Sequence, residues 1–184
     1  DARKPSNQSY PIRNWFSPSD LEEKLSQDID KANENLTTYN DSFMEDPTGL
    51  NLRDYQIKAI NKATEAIVGG KRTALLAMAT GTGKTRTVLG LIYKMLESKR
   101  FKRILFLVDR VSLGEQAMDT FKDVKLKDLM TLNEIYEIKD IDDNEINLET
   151  KVSVSTVQGL LRRTVLSETP DLMPGAFDLI IVDE

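Results

Sequence analysis

The chain has 184 residues, 40% of them apolar and 30% charged, with a formal net charge of −5, which suffices for one globular domain of ordinary core size plus an appendage. It has no cysteine and no histidine, which excludes disulfides, thiolate metal sites and imidazole bases and leaves carboxylates with a hard cation for any catalysis. No apolar stretch approaches the roughly 20 residues of a membrane span and no signal-peptide pattern is present, so the chain reads as cytoplasmic with no membrane partner.

In chain order, residues 1–16 read as an irregular tether carrying Pro5 and Pro11. Ser17-Pro18, with Ser19 and Glu22 as a capping box, starts a helix whose Leu21, Leu25, Ile29, Ala32 and Leu36 form one apolar stripe. Residues 37–50, broken by Pro47 and Gly49, read as a linker. This sets residues 1–50 apart as tether and linker helix, and 51–184 as the main domain. From there the pattern alternates: helix 53–68, strand 73–79, helix 84–98, strand 103–109 and helix 112–122. A stretch without clear periodicity follows, then strand 152–156, a short helix from Gln158 and strand 178–183. Such alternation predicts an α/β fold, a mostly parallel sheet with helices on both faces.

The chemistry is concentrated in "LLAMATGTGKTRT", residues 75–87. An apolar run passes abruptly into a helical pattern (Val88, Leu91, Ile92, Met95, Leu96) through Thr80, Gly81, Thr82, Gly83, Lys84, Thr85 and Arg86. Gly81 and Gly83 allow successive N–H groups to converge on an anion, and the helix N-terminus adds partial positive charge. Phosphate is the natural guest, with Lys84 on the β- and γ-phosphates of ATP and the Thr85 hydroxyl on Mg²⁺. The P-loop pattern is otherwise intact, but its first glycine is replaced by Met78. A second buried-strand run, "FDLIIVDE", ends in Asp183 and Glu184, at the strand end where open α/β sheets bind ligands. Asp183 suits the Mg²⁺ shell, and Glu184 suits deprotonation of an attacking water. Gln56, near the start of the helix in "NLRDYQIKAI", offers an amide that can read an adenine edge. Capping of the helix end by Arg53, Asp54 and Gln56 is the equal alternative.

The acidic charge is local. Residues 134–149 hold seven carboxylates against Lys139, a balance of −6, so the remainder of the chain sums to +1. A polyanion responds to local fields rather than to the total, and the acidic segment reads as a solvated loop turned away from nucleic acid. The basic run Lys99, Arg100, Lys102, Arg103 reads first as a solvated helix end complementing the dipole.

Taken together, Gln56 in L-R-x-Y-Q, M-A-T-G-T-G-K-T, "ILFLVDRVSLGEQA" (104–117), "VSTVQGL" (154–160) and "IIVDE" resemble the first RecA-like lobe of a superfamily 2 helicase. More narrowly, residues 83–117 resemble the motor of the restriction (R) subunit of type I restriction–modification enzymes, of the type IA kind. The resemblance covers about residues 50–184. It implies an ATP-driven duplex-DNA translocase that works with methylation and specificity subunits and a second RecA-like lobe, and that is joined to an endonuclease domain. It places Gln56 on adenine, Lys84 on the phosphates, Thr85 and Asp183 on Mg²⁺, and Glu184 on water. It also places Arg110, Gln116, Thr156 and Gln158 along the DNA track, where such groups hold a phosphate backbone without reading sequence. For Arg110 the alternative is an ion pair with Asp109, and for Thr156 it is ordinary strand propensity. RNA and repair helicases are the near alternatives, with a nucleotide-gated binding module and a small phosphotransferase further off.

Overall fold

In a computed structural model, residues 16–127, 130–139, 150–164 and 175–183 are described. Residues 1–15 of the expected tether, residues 140–149 of the acidic segment and Glu184 lie outside them.

Helix α4 (Asp54–Val68) and helix α5 (Lys84–Glu97) follow the expected periodicity, and Gly90 lets them approach closely. A Cβ on Gly90 would stand 3.2 Å from both Ile60 and Leu52. Strand β1 (Ile104–Val108) then leads into helix α6 (Val111–Asp123). A small antiparallel pair follows, β2 (Lys125–Lys127) with β3 (Met130–Thr131), then the one-turn helix α7 (Leu132–Ile135) and β4 (Ile138–Lys139). Strand β5 (Val152–Thr156), helix α8 (Val157–Thr164) and strand β6 (Leu179–Asp183) complete the described chain. The main sheet has the order β4-β5-β1-β6 with every pair parallel.

Alternation along β1 sorts its side chains by face. Ile104, Phe106 and Val108 join the core with α5 and α6, and Phe106 meets Phe121 of α6 at a ring-centroid distance of 6.1 Å. Leu105 and Leu107 point the other way and are also buried. On β6 the alternation leaves Ile180 and Val182 exposed while Leu179 and Ile181 pack inward.

Two expectations need correction. Residues 73–79, expected as a strand, form no ladder, and Leu75 is 91% exposed although Leu76 rests on the core. A strand needs a neighbour as well as an apolar run, and among the described residues none pairs with the outer edge of β6. The single N-terminal stripe is instead two helices, α1 (Pro18–Leu25) and α2 (Ile29–Thr38). Asp28 breaks it by accepting the Lys31 N–H at 2.9 Å as an N-cap. Leu25 and Ile29 are consequently exposed, while Ala32 and Leu36 are buried.

The segment 37–50 is more than a connection. It contains helix α3 (Ser42–Glu45), and Met44 and Leu50 are fully buried in the same core as α4 and α5. Lys94 of α5, almost wholly buried, pairs with Asp41 at 2.8 Å. The Gln27 amide donates to the carbonyls of Lys99 and Arg100, and Arg100 donates to Asn33 at 2.8 Å. The basic run is thereby divided. Arg100 and Arg103 lie against the rings of Phe101 and Phe177. Lys99 and Lys102 line a cavity of about 420 Å³ together with Lys151, Glu97 and Tyr136. Glu97 accepts hydrogen bonds from Tyr39 and Tyr136, and burial pushes the Tyr136 hydroxyl above its ordinary range.

Candidate nucleotide site

The loop between Ala79 and Lys84 turns on two glycines in the left-handed region, Gly81 at φ 77° and Gly83 at φ 80°. The Thr82 hydroxyl closes the turn by donating to the Ala79 carbonyl at 2.6 Å. Gly83 is the N-cap of α5, so Lys84 and Thr85 occupy its first turn and the positive end of the helix opens at the loop. Across the site stands β6. Lys84 Nζ lies 3.8 Å from Asp183 Oδ1, with the two side chains 32% and 18% exposed. A cation and a carboxylate held half-open at a helix N-terminus form a charge pair that a phosphate and a divalent cation can enter together. Among the described residues no cluster of three or more acidic side chains stands ready to hold a cation. The donors at hand, the Thr85 hydroxyl and the Asp183 carboxylate, fit Mg²⁺, which is commonly held by one or two protein oxygens plus substrate phosphates and water.

The floor of the loop is built by α4. Gln56, 4% exposed, spends both ends of its amide. Its Oε1 accepts the Arg53 N–H at 2.8 Å. Its Nε2 faces the Thr82 carbonyl at 3.3 Å, the Gly83 carbonyl at 3.1 Å and the Thr87 hydroxyl at 3.0 Å. The helix-cap alternative is therefore realised, together with a contact to the loop that spacing did not reveal. Arg86 donates to the Leu50 carbonyl at 3.2 Å, which ties α5 to the start of the core segment. Thr80 and Gly81 lie exposed at the loop's rim.

Of the remaining candidates, Arg110, Thr156 and Gln158 lie at the carboxyl ends of β1 and β5, and Gln116 lies further along α6. Register sets Val108 opposite both Thr156 and Asp183, so the residues that follow β1 and β5 share an end with the loop. Arg110, the N-cap of α6, is 78% exposed and pairs with Asp109 at 3.4 Å. Gln116 on α6 and Gln158 on α8 are exposed. Thr156 is buried, and its hydroxyl accepts the Gly159 N–H at 3.0 Å to cap α8. Two residues that sequence reasoning passed over also belong here. Tyr55 donates its hydroxyl to the Thr82 carbonyl at 2.8 Å, and the buried Thr87 receives Gln56. The available signal was an aromatic residue beside Gln56 in the first turn of α4.

A parallel sheet, a glycine-turned loop opening onto a helix N-terminus, and a lysine facing the aspartate of a neighbouring strand define a P-loop nucleotide-binding domain. The chain belongs to the family described as "Type III restriction enzyme, res subunit", whose family model matches residues 49–184. It is similar to the type I restriction enzyme EcoKI endonuclease subunit of Escherichia coli K12, with 43% identity over 187 residues, covering 100% of this chain and 15% of that protein. It is also similar to the type I restriction enzyme EcoAI endonuclease subunit of Escherichia coli, with 41% identity over 100 residues, covering 54% of this chain and 12% of that protein. A solved fragment assigned to the HsdR subunit of a type I restriction enzyme from Vibrio vulnificus YJ016 superposes with a TM-score of 0.49 and 24% identity, covering 92% of this chain and 28% of that one. The resemblance to type I R subunits is borne out by the two curated relatives. The chain spans about a seventh of the length of these two curated relatives.

Proposed function

We propose that the chain is the ATP-binding first lobe of a DNA translocase motor in the R subunit of a type I restriction enzyme. In that reading ATP hydrolysis moves the enzyme along duplex DNA before cleavage, in assembly with methylation and specificity subunits and with a second RecA-like lobe. The observation that carries the nucleotide half is the convergence of the α5 N-terminus, Lys84 and Asp183 on one point. The DNA half is supported by the restriction family and relatives and by the exposure of Arg110 and Gln158 just after strands β1 and β5, and of Gln116 on α6.

Each residue has a task in this reading. Lys84 holds the β- and γ-phosphates and neutralises charge developing on the transferred group. Thr85 and Asp183 would hold Mg²⁺, which would supply charge neutralisation for the phosphates. Glu184, outside the described residues, is assigned by residue type to orienting and deprotonating water. Arg110, Gln116 and Gln158 hold backbone phosphates, with Thr156 supporting the last of these by capping α8. Gln56 holds the loop from beneath. Contact with adenine would require its amide to exchange one of its present partners.

The test is steady-state ATPase of the full-length protein, alone and with its methylation and specificity partners, with duplex DNA, single-stranded DNA or RNA at two salt concentrations. Stimulation by duplex DNA that weakens with salt is expected, because phosphate contacts release counterions. Stimulation by RNA alone would replace the translocase with an RNA helicase, and no response to any nucleic acid would sink the motor reading.

A further inference from the structure

The first turn of α4 reaches the loop twice. The Tyr55 hydroxyl and the Gln56 amide both donate to the Thr82 carbonyl, and Gln56 also reaches the Gly83 carbonyl, which Thr87 holds as well. The approach is close, since a Cβ on Gly83 would stand 2.8 Å from Gln56 Nε2. Each peptide unit is a planar trans group whose carbonyl and following N–H point in opposite directions. Drawing the Thr82 carbonyl toward α4 therefore turns the Gly83 N–H away from α4. Holding the Gly83 carbonyl does the same for the Lys84 N–H. A loop that binds phosphate needs these N–H groups aimed together before the ligand arrives. Tyr55 is 42% exposed, so its ring contributes little to the core, and its hydroxyl is the part of the side chain engaged with the loop.

Resting on the nucleotide reading above, we infer that Tyr55 is a positioning residue for the phosphate-binding loop, holding the Thr82–Gly83 peptide so that its N–H faces the phosphates. It acts through the backbone and does not itself touch the nucleotide. Gln56 secures the same peptide from the buried side, and Tyr55 secures it from the solvent side.

The experiment compares the full-length protein with its Tyr55→Phe variant, which removes one hydroxyl and keeps the ring. Equilibrium binding of ATP and of inorganic tripolyphosphate is measured with Mg²⁺, alongside KM, kcat and thermal midpoint. Loss of one hydrogen bond predicts binding of both probes weakened by about 5- to 10-fold. KM should rise by a similar factor while kcat falls by less, at an unchanged thermal midpoint. Unchanged affinity for both probes would overturn the inference. So would weakening confined to ATP, which would put the hydroxyl on the base or ribose, and so would a loss of affinity that tracks a lowered thermal midpoint. A wild-type protein that binds neither probe, like a Lys84→Ala control, would remove the nucleotide reading itself and this inference with it.

Discussion

Lys99 holds φ at +57°, in the left-handed region where a Cβ crowds the backbone and glycine is the usual occupant. It follows Ser98, the C-cap of α5, and the chain closes there through Lys99 N–H to Leu96 and Phe101 N–H to Met95. This is a helix stop built on backbone shape, with lysine in the glycine place. Lys99→Gly should therefore stabilise the fold by about 1 kcal/mol, the order of the penalty for that conformation. A urea midpoint shifted upward with unchanged slope would show it, and a downward shift would mean the lysine side chain contributes more than its backbone costs. Legibility at this scale was uneven for the same kind of reason. That Lys84 and Asp183 stand at one end of the sheet was readable because each follows directly from its place at the end of a predicted helix or strand. Gln56 was read for its amide but not for its partners, since Thr82, Gly83 and Thr87 reach it only once α4 and α5 are packed.

Among elements, the joint between α3 and α5 bears most on stability. Lys94 is 3% exposed at its side chain and Asp41 30%, so removing the carboxylate leaves a buried ammonium without its counter-charge and with the Asn61 amide oxygen at 3.5 Å. Asp41→Ala is expected to cost about 3 kcal/mol, the low end for breaking a buried pair because Asp41 keeps some water. Lys94→Met, which removes the charge and keeps the volume, should cost much less. Chemical denaturation of both variants checks the pair, and equal losses would show that packing rather than charge holds the joint. The segment 37–50 read as a linker because Pro47 and Gly49 break it, and its buried residues Met44 and Leu50 are too few to mark a helical or strand period. Their burial is set by what α4 and α5 present, which no local pattern encodes. The run 73–79 misled in the opposite way: its composition suits a strand, and a ladder depends on a partner remote in sequence.

At the scale of the molecule, helices α2 and α3 share one core with the sheet through Leu36, Met44 and Leu50, so the boundary at residue 50 reads better as a change of role than as a change of folding unit. The open edge of β6 has a different consequence, one of colloidal behaviour. With Ile180 and Val182 exposed beside backbone groups that no described strand pairs, this edge is a template for another chain. Expressed as these 184 residues, the protein should self-associate as its concentration rises, visible as a climbing weight-average mass in sedimentation velocity. Ile180→Lys should return it toward the monomer, and a concentration-independent mass in the unmodified chain would show that the edge is already covered. The strand that sets Asp183 opposite Lys84 would thus also be the one that limits how concentrated the isolated chain can be kept.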